Sequence, residues 1–181
     1  AIIPNALDYW SDIEWRKSVL QKMIQDFGKI GLESEILDLR DFFDQTNELR
    51  NQIEIFSYVW ATGGNTFVLR RAFAQSGFDS ILEEKRNQRD FVYGGYSAGA
   101  CVLAPTLKGI HLADDPNNVP EKYTEKIIWK GLNLIPYSIL PHFESNSSES
   151  EKIDQSFRYM IDHKIPFVVL RDGETLQLHL G

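Results

Sequence analysis

Short apolar runs alternate with longer amphipathic ones along this chain, and that alternation predicts its elements in order. Ala1-Ile2-Ile3-Pro4 reads as the tail of a strand. Ser11-Asp12-Ile13-Glu14 has the form of a capping box, in which a side chain and an acid three positions apart satisfy free backbone N–H groups. Trp15, Val19, Leu20, Met23, Ile24 and Phe27 then recur at helical spacing, and Gly28 and Gly31 stop the run. Glu35-Ile36-Leu37 suggests a short strand. Residues 41–52 are polar with Phe42, Phe43 and Leu49 as anchors and predict a helix. Residues 55–61, rich in β-branched and aromatic side chains, predict a buried strand that Gly63-Gly64-Asn65 breaks. Residues 66–75 and 79–87 predict helices, and Phe91-Val92-Tyr93 the next strand.

A helix-compatible run follows as far as Pro105, and residues 108–126 are irregular, polar and proline-bearing. Residues 138–143 read as a strand running into a loop, and residues 144–150 as a Ser/Glu-rich loop. Ile153, Phe157, Met160 and Ile161 mark an amphipathic helix, and residues 165–170 a strand. Asp172-Gly173 is a turn signal. Leu176, Leu178 and Leu180 alternate with Gln177 and His179, as in a half-exposed strand. With no repeat or low-complexity linker, residues 1–181 read as one domain. Strands alternating with helices predict an α/β fold with a mostly parallel sheet and helices on both faces. Sites in such sheets form beyond the carboxyl ends of the strands. Gly63-Gly64-Asn65, Ser97, His142 and Asp172 each fall just after a predicted strand.

Composition narrows the function. A chain of 181 residues, 43% hydrophobic and 25% charged, is an ordinary globular domain with a proper core. A net charge of −7 without a basic cluster argues against a nucleic-acid partner. No apolar run reaches the length of a membrane span. The single cysteine, Cys101, excludes an internal disulfide and fits a reducing compartment such as the cytoplasm.

The candidate chemistry centres on residues 91–101. Gly95-Tyr96-Ser97-Ala98-Gly99 matches the strand-turn-helix pattern that exposes a nucleophilic hydroxyl. Side chains at Gly95 or Gly99 would crowd such a turn, and the helix start beyond it offers free N–H groups. A serine hydroxyl needs a base, and an acid to orient that base. His142, between Pro141 and Phe143 at a strand end, is the candidate base. For the acid, Asp114 and Asp115 in the polar loop and Asp172 at the last strand end are all open. Gly63-Gly64-Asn65 offers backbone N–H groups unshielded by side chains, which with that of Ala98 would form an oxyanion hole. The competing explanations are a plain turn for the glycines, a backbone-capping role for His142 and an ordinary turn at Asp172-Gly173. Cys101, one helical turn past Ser97, reads as a core residue. His111 with Asp114 and Asp115 has no companion cluster to make a metal site. The tryptophans and Phe42-Phe43 read as packing.

Taken as an ordered set, Gly63-Gly64-Asn65-Thr66-Phe67, Gly95-Tyr96-Ser97-Ala98-Gly99-Ala100, Pro141-His142-Phe143 and Leu170-Arg171-Asp172-Gly173 resemble the dipeptidase E (aspartyl dipeptidase) family of serine peptidases, relatives of cyanophycinase. The resemblance implies a three-layer, flavodoxin-like α/β sandwich, similar to class I glutamine amidotransferases. It also implies cytosolic hydrolysis of short peptides without a cofactor. By motif, Ser97 would be the nucleophile and His142 the base. Gly64 and Ala98 would be oxyanion donors, and Asn65 a substrate contact. The family's acid is a glutamate at the position of Asp172, and a loop aspartate matched by Asp114 or Asp115 has also been given that role. The arginine with which its aspartyl peptidases grip an acidic side chain would align near Glu149 and Ser150, where this chain is acidic, so strict Asp-X specificity is not implied. The family's first strand would lie ahead of Ala1. A homodimer is compatible with the resemblance. An esterase of the α/β-hydrolase type and a non-catalytic binding module on the same fold are the alternatives.

Overall fold

The computed structural model describes residues 1–145 and 150–179. Three parallel strands, β1 (Ile2–Ile3), β2 (Tyr58–Ala61) and β3 (Val92–Gly95), form one sheet in that order. Ile3 lies opposite Ala61, and Ala61 opposite Gly95, so the three strands end level. A second sheet pairs β4 (Ser138–Leu140) with β5 (Phe167–Val169), also in parallel, with Leu140 opposite Val169. Between the strands run α1 (Ile13–Lys29), α2 (Thr46–Ile53), α3 (Thr66–Ser76), α4 (Phe78–Lys85), α5 (Ala98–Cys101) and α6 (Ser150–Asp162). The α/β class with parallel pairing holds as read. The expected single sheet is divided: among the described residues no ladder joins β3 to β4. A cleft of about 1090 Å³ is lined by both.

The main core gathers Ile3 and Val59 from the strands, Val68, Leu69 and Phe73 from α3, and Phe78 and Ile81 from α4. Full burial of such a side chain is worth roughly 1.5–3 kcal/mol, so this cluster anchors the strand ends. A smaller cluster of Cys101, Ile110, Leu140, Ile153 and Met160 ties α5 and β4 to α6. α3 is buried nearly all round, its two arginines included. The Arg71 guanidinium donates to the carbonyls of Pro116 (2.7 Å), Asn118 (3.2 Å) and Lys126 (3.2 Å). Arg70 donates to the Lys130 carbonyl at 2.9 Å. These bonds offset the burial of charge and fasten the irregular segment after α5 onto α3.

Local differences from the sequence reading have physical causes. Asp12, not Ser11, caps α1, accepting from the Trp15 N–H, while Glu14 pairs with Lys17 instead of closing the box. Gly28 lies inside α1, and the chain turns at Gly31, whose φ is 82°. Residues 41–52 divide into a 3-10 turn, Leu39–Phe42, and α2. Ile36 makes only one parallel bridge, to Ile2. β2 begins at Tyr58, and Ile55 is exposed because α2 has only just ended at Ile53. Trp10 and Trp15 pack against each other in a tilted arrangement at the surface, 5.3 Å between centroids, and Ile161 is exposed on α6. The alternation at 176–179 forms no strand, since no neighbour pairs with it among the described residues. Leu180 and the loop positions 146–149, Glu149 among them, lie outside the described residues. No helix among the described residues is long and apolar enough to cross a membrane.

Candidate functional site

Ser97 stands between β3 and α5 at φ 49°, ψ −114°. A non-glycine residue in so sparsely populated a region costs of order 1–3 kcal/mol and persists only where its surroundings over-determine it. They do here. The Ser97 carbonyl accepts from the N–H groups of Ala100 and Cys101, both at 2.9 Å, and the Tyr93 hydroxyl donates to the Gly99 carbonyl at 2.8 Å. Gly99 presses on β2: a Cβ there would lie 2.3 Å from the Ala61 carbonyl oxygen. Burial pushes the Tyr93 hydroxyl pKa up, keeping it a neutral donor.

The Gly63-Gly64 turn lies directly against this bend. A Cβ at Gly63 would be 2.5 Å from Tyr96 Cε2 and 3.2 Å from Ser97 Cβ. Gly64 has φ 138° and abuts the Ala6 carbonyl, a conformation and an approach that only glycine tolerates. Asn65 caps α3, its Oδ1 accepting from the N–H groups of Phe67 (2.9 Å) and Val68 (3.0 Å). Its Nδ2 donates to the Asp115 carbonyl at 2.9 Å, which leaves one amide hydrogen of the side chain uncommitted by that bond. Gly64 and Ala98, the expected N–H donors, thus sit in two turns that touch.

His142 follows β4 and Pro141, also in the left-handed region, with φ 59°. Its segment is clamped to the end of β5. The Phe143 N–H donates to the Leu170 carbonyl at 3.1 Å. His142 Nδ1 meets Asp172 Oδ1 at 2.7 Å, and the Ser145 hydroxyl donates to Asp172 Oδ2 at 2.7 Å. Arg171 donates to Glu144 at 2.9 and 2.5 Å. The Ser145 hydroxyl and then the His142 ring hold the Asp172 carboxyl below its ordinary range.

Ser97, His142 and Asp172 line the cleft of about 1090 Å³, and Ser97, His142 and Asp114 also line a small hollow beside Cys101. Of the three candidate acids, Asp172 is the one bonded to the His142 ring. Asp114 accepts from the Thr66 N–H (2.9 Å) and hydroxyl (2.6 Å), which secures the start of α3. Asp115 accepts from the Asn117 N–H at 2.9 Å within its own turn. Cys101 is buried in the smaller core cluster, and burial pushes its thiol pKa up. His111 packs against Trp129 and Tyr159, its Nδ1 accepting from the Gly109 N–H at 3.0 Å, and burial lowers its pKa. Among the described residues no group of three or more His, Cys, Asp or Glu is placed to hold a metal ion. Ser145 was not legible beforehand. Nothing in the polar run after His142 marks which hydroxyl turns back to Asp172.

Fold and site define an α/β protein in which a serine-bearing strand-to-helix turn shares a cleft with a His–Asp pair. This chain belongs to Peptidase family S51, whose sequence pattern matches residues 1–180. It is 31% identical over 127 residues to an uncharacterized peptidase of Listeria monocytogenes serovar 1/2a, covering 70% of this chain and 57% of that one. It is 32% identical over 125 residues to "Peptidase E" of Nostoc sp., covering 68% and 45%. It is 28% identical over 143 residues to the "Probable alpha-aspartyl dipeptidase" of Drosophila melanogaster, covering 75% and 53%. The chain spans about half the length of these curated relatives. A crystal structure from Listeria monocytogenes EGD-e, provisionally assigned as a Peptidase E protein, has the same fold. Its TM-score is 0.68 at 23% identity, over all of this chain and 85% of that one. That fold is the flavodoxin-like one expected from the sequence.

Proposed function

We propose that this chain carries the catalytic core of a serine peptidase acting on short peptides. The observation that carries the reading is the 2.7 Å contact between His142 Nδ1 and Asp172, in a cleft that Ser97 also lines. With Nδ1 engaged by the carboxylate, Nε2 is the nitrogen left to take a proton from Ser97 Oγ. The hydroxyl oxygen attacks the scissile carbonyl carbon, and the carbonyl oxygen becomes an oxyanion facing the N–H groups of Gly64 and Ala98. Each such donor is worth about 10²–10³ in rate. His142 then gives its proton to the departing amine, leaving an acyl-enzyme on Ser97. Water, deprotonated by the same ring, releases the acid and restores the serine. Asn65 holds the Gly64 turn through its cap and the substrate through its remaining amide hydrogen.

Membership of family S51 and a relative named as a probable alpha-aspartyl dipeptidase support a dipeptide-sized substrate. Arg171, at the cleft beside His142, is engaged by Glu144 and Glu174, which supports specificity other than a strict acidic side chain. The buried lone cysteine supports a cytoplasmic setting. The test is hydrolysis of a dipeptide and p-nitroanilide panel by wild type and Ser97→Ala. The substitution is expected to lower kcat by about 10⁴–10⁶-fold. Activity that survives it removes Ser97 as nucleophile.

A further inference from the structure

The His142 segment carries an arrangement beyond the three groups just assigned. Asp172 is held at both of its oxygens. Oδ1 faces the His142 ring and Oδ2 accepts from the Ser145 hydroxyl, each at 2.7 Å. The two donors come from one short turn. His142 and Glu144 both adopt positive φ, 59° and 56°, and the Ser145 N–H closes the turn on the His142 carbonyl at 3.2 Å. That pair of left-handed residues points the side chains of 142 and 145 at the same carboxylate. A carboxylate on an exposed turn is otherwise free to rotate about its terminal torsion, which is broad and roughly two-fold. The Asp172 side chain is 58% exposed, so solvent competes for both oxygens.

We propose that Ser145 is a positioning residue for the hydrolytic reaction. By fixing Oδ2 it holds Oδ1 against Nδ1 of His142, and so fixes the ring's tautomer and the direction in which Nε2 presents itself to Ser97. This rests on the serine-peptidase reading, and deepens it from three groups to four. The carboxylate is one methylene shorter than a glutamate would be, and the second anchor gives the shorter side chain a defined orientation. Arg171 pairs with Glu144 on the same turn and stacks over Phe143, 5.8 Å from the ring centroid, which keeps the two left-handed residues in register.

The experiment follows labelling of Ser97 by a fluorophosphonate probe, which needs an activated hydroxyl but no knowledge of the natural substrate. Wild type, Ser145→Ala, Ser145→Thr, Asp172→Asn and the Ser145→Ala/Asp172→Asn double variant are compared. A hydrogen bond to a charged group sets the expected scale: Ser145→Ala labels about tenfold more slowly. Ser145→Thr, which keeps the hydroxyl, returns to within about threefold of wild type. In the Asp172→Asn background Ser145→Ala has no further effect, because its route of action is gone. A purely structural role for Ser145 would slow both backgrounds equally, and that outcome overturns the proposal. So does an unchanged rate in Ser145→Ala, or a Thr variant as slow as Ala. Wild type that is folded yet never labels overturns the serine-peptidase reading itself, a result distinct from the others.

Discussion

Two carboxylates follow strand ends in this protein, and their settings are opposite. Asp8, beyond β1, has a side chain with no solvent exposure. The Asn5 amide, the Tyr123 hydroxyl, Arg16 and Arg40 converge on it, and Asn5 and Arg40 also bind Asp38. Asp172, beyond β5, is more than half exposed and has only His142 and Ser145 as described partners. The denser network is the structural one. It joins the turn after the first strand to Tyr123, 115 residues away from Asp8 along the chain, and both Asp8 carboxylate oxygens are engaged in it. The sparser one sits on strained backbone, opens onto the cleft and leaves an imidazole nitrogen available. Density of hydrogen bonding therefore marks a weld. A candidate site is marked by unspent chemistry held in a costly conformation.

The largest effect that would test this contrast is on rate. His142→Asn keeps a side chain that tolerates positive φ. It is expected to lower kcat by about 10⁴–10⁶-fold. Stability should hold to within about 0.5 kcal/mol, as for surface positions. Peptide hydrolysis and urea denaturation on the same preparation read both. Asp8→Ala is expected to do the reverse. It strands Arg16 and the donor of the Tyr123 hydroxyl in a largely buried setting, while Arg40 keeps its bonds to Asp38, at a cost of about 3–5 kcal/mol in urea unfolding. Turnover per folded molecule should be unchanged. If Asp8→Ala abolished turnover without loss of stability, the two networks would have exchanged roles.

How much of this was legible in the sequence differs between the same two regions. The Ser97 bend was readable because glycine spacing reports steric demand directly: the contacts that Cβ atoms at Gly63 and Gly99 would make are what those glycines avoid. The placement of His142 and Asp172 followed from the rule that strand ends converge. Which of the aspartates meets the His142 ring did not, because Asp114, Asp115 and Asp172 all stand in polar turns, and only side-chain direction separates them. The Asp8 network left no sequence signal. Asn5 and Asp8 look like turn formers, and Tyr123 lies in a segment without periodicity. Buried arginines were equally hidden, since Arg70 and Arg71 on α3 resemble a solvent face until the carbonyls of the following segment cover them. The alternation at Leu176 and Leu178 misled for the converse reason: period-two patterning needs a neighbouring strand before it becomes one.

The smallest effect is the one that separates charges within the weld. Burial pushes the Asp8 pKa above its ordinary 3.8, with Tyr123, Arg40, Asn5 and Arg16 opposing. A carboxyl raised on folding binds its proton more readily in the native state. Its contribution is therefore fully present below 3.8 and is lost as pH rises through the raised folded value. Burial also acts to raise Asp38, but hydrogen bonds from Arg40 and Asn5 outweigh it and the folded value lies below 3.8. Its contribution is present above 3.8 and is lost as pH falls through the lowered value. Urea unfolding between about pH 3 and pH 6 spans both windows. The stability advantage of wild type over Asp8→Asn should shrink as pH rises, while its advantage over Asp38→Asn should grow. Asp172 is shifted in the same direction as Asp38, yet solvent screens its partners, so Asp172→Asn should change the pH slope far less than Asp38→Asn does. A slope for Asp172→Asn as steep as that for Asp38→Asn would mean that the exposed pair also contributes to folding, and the division between weld and site would fail at its weakest point.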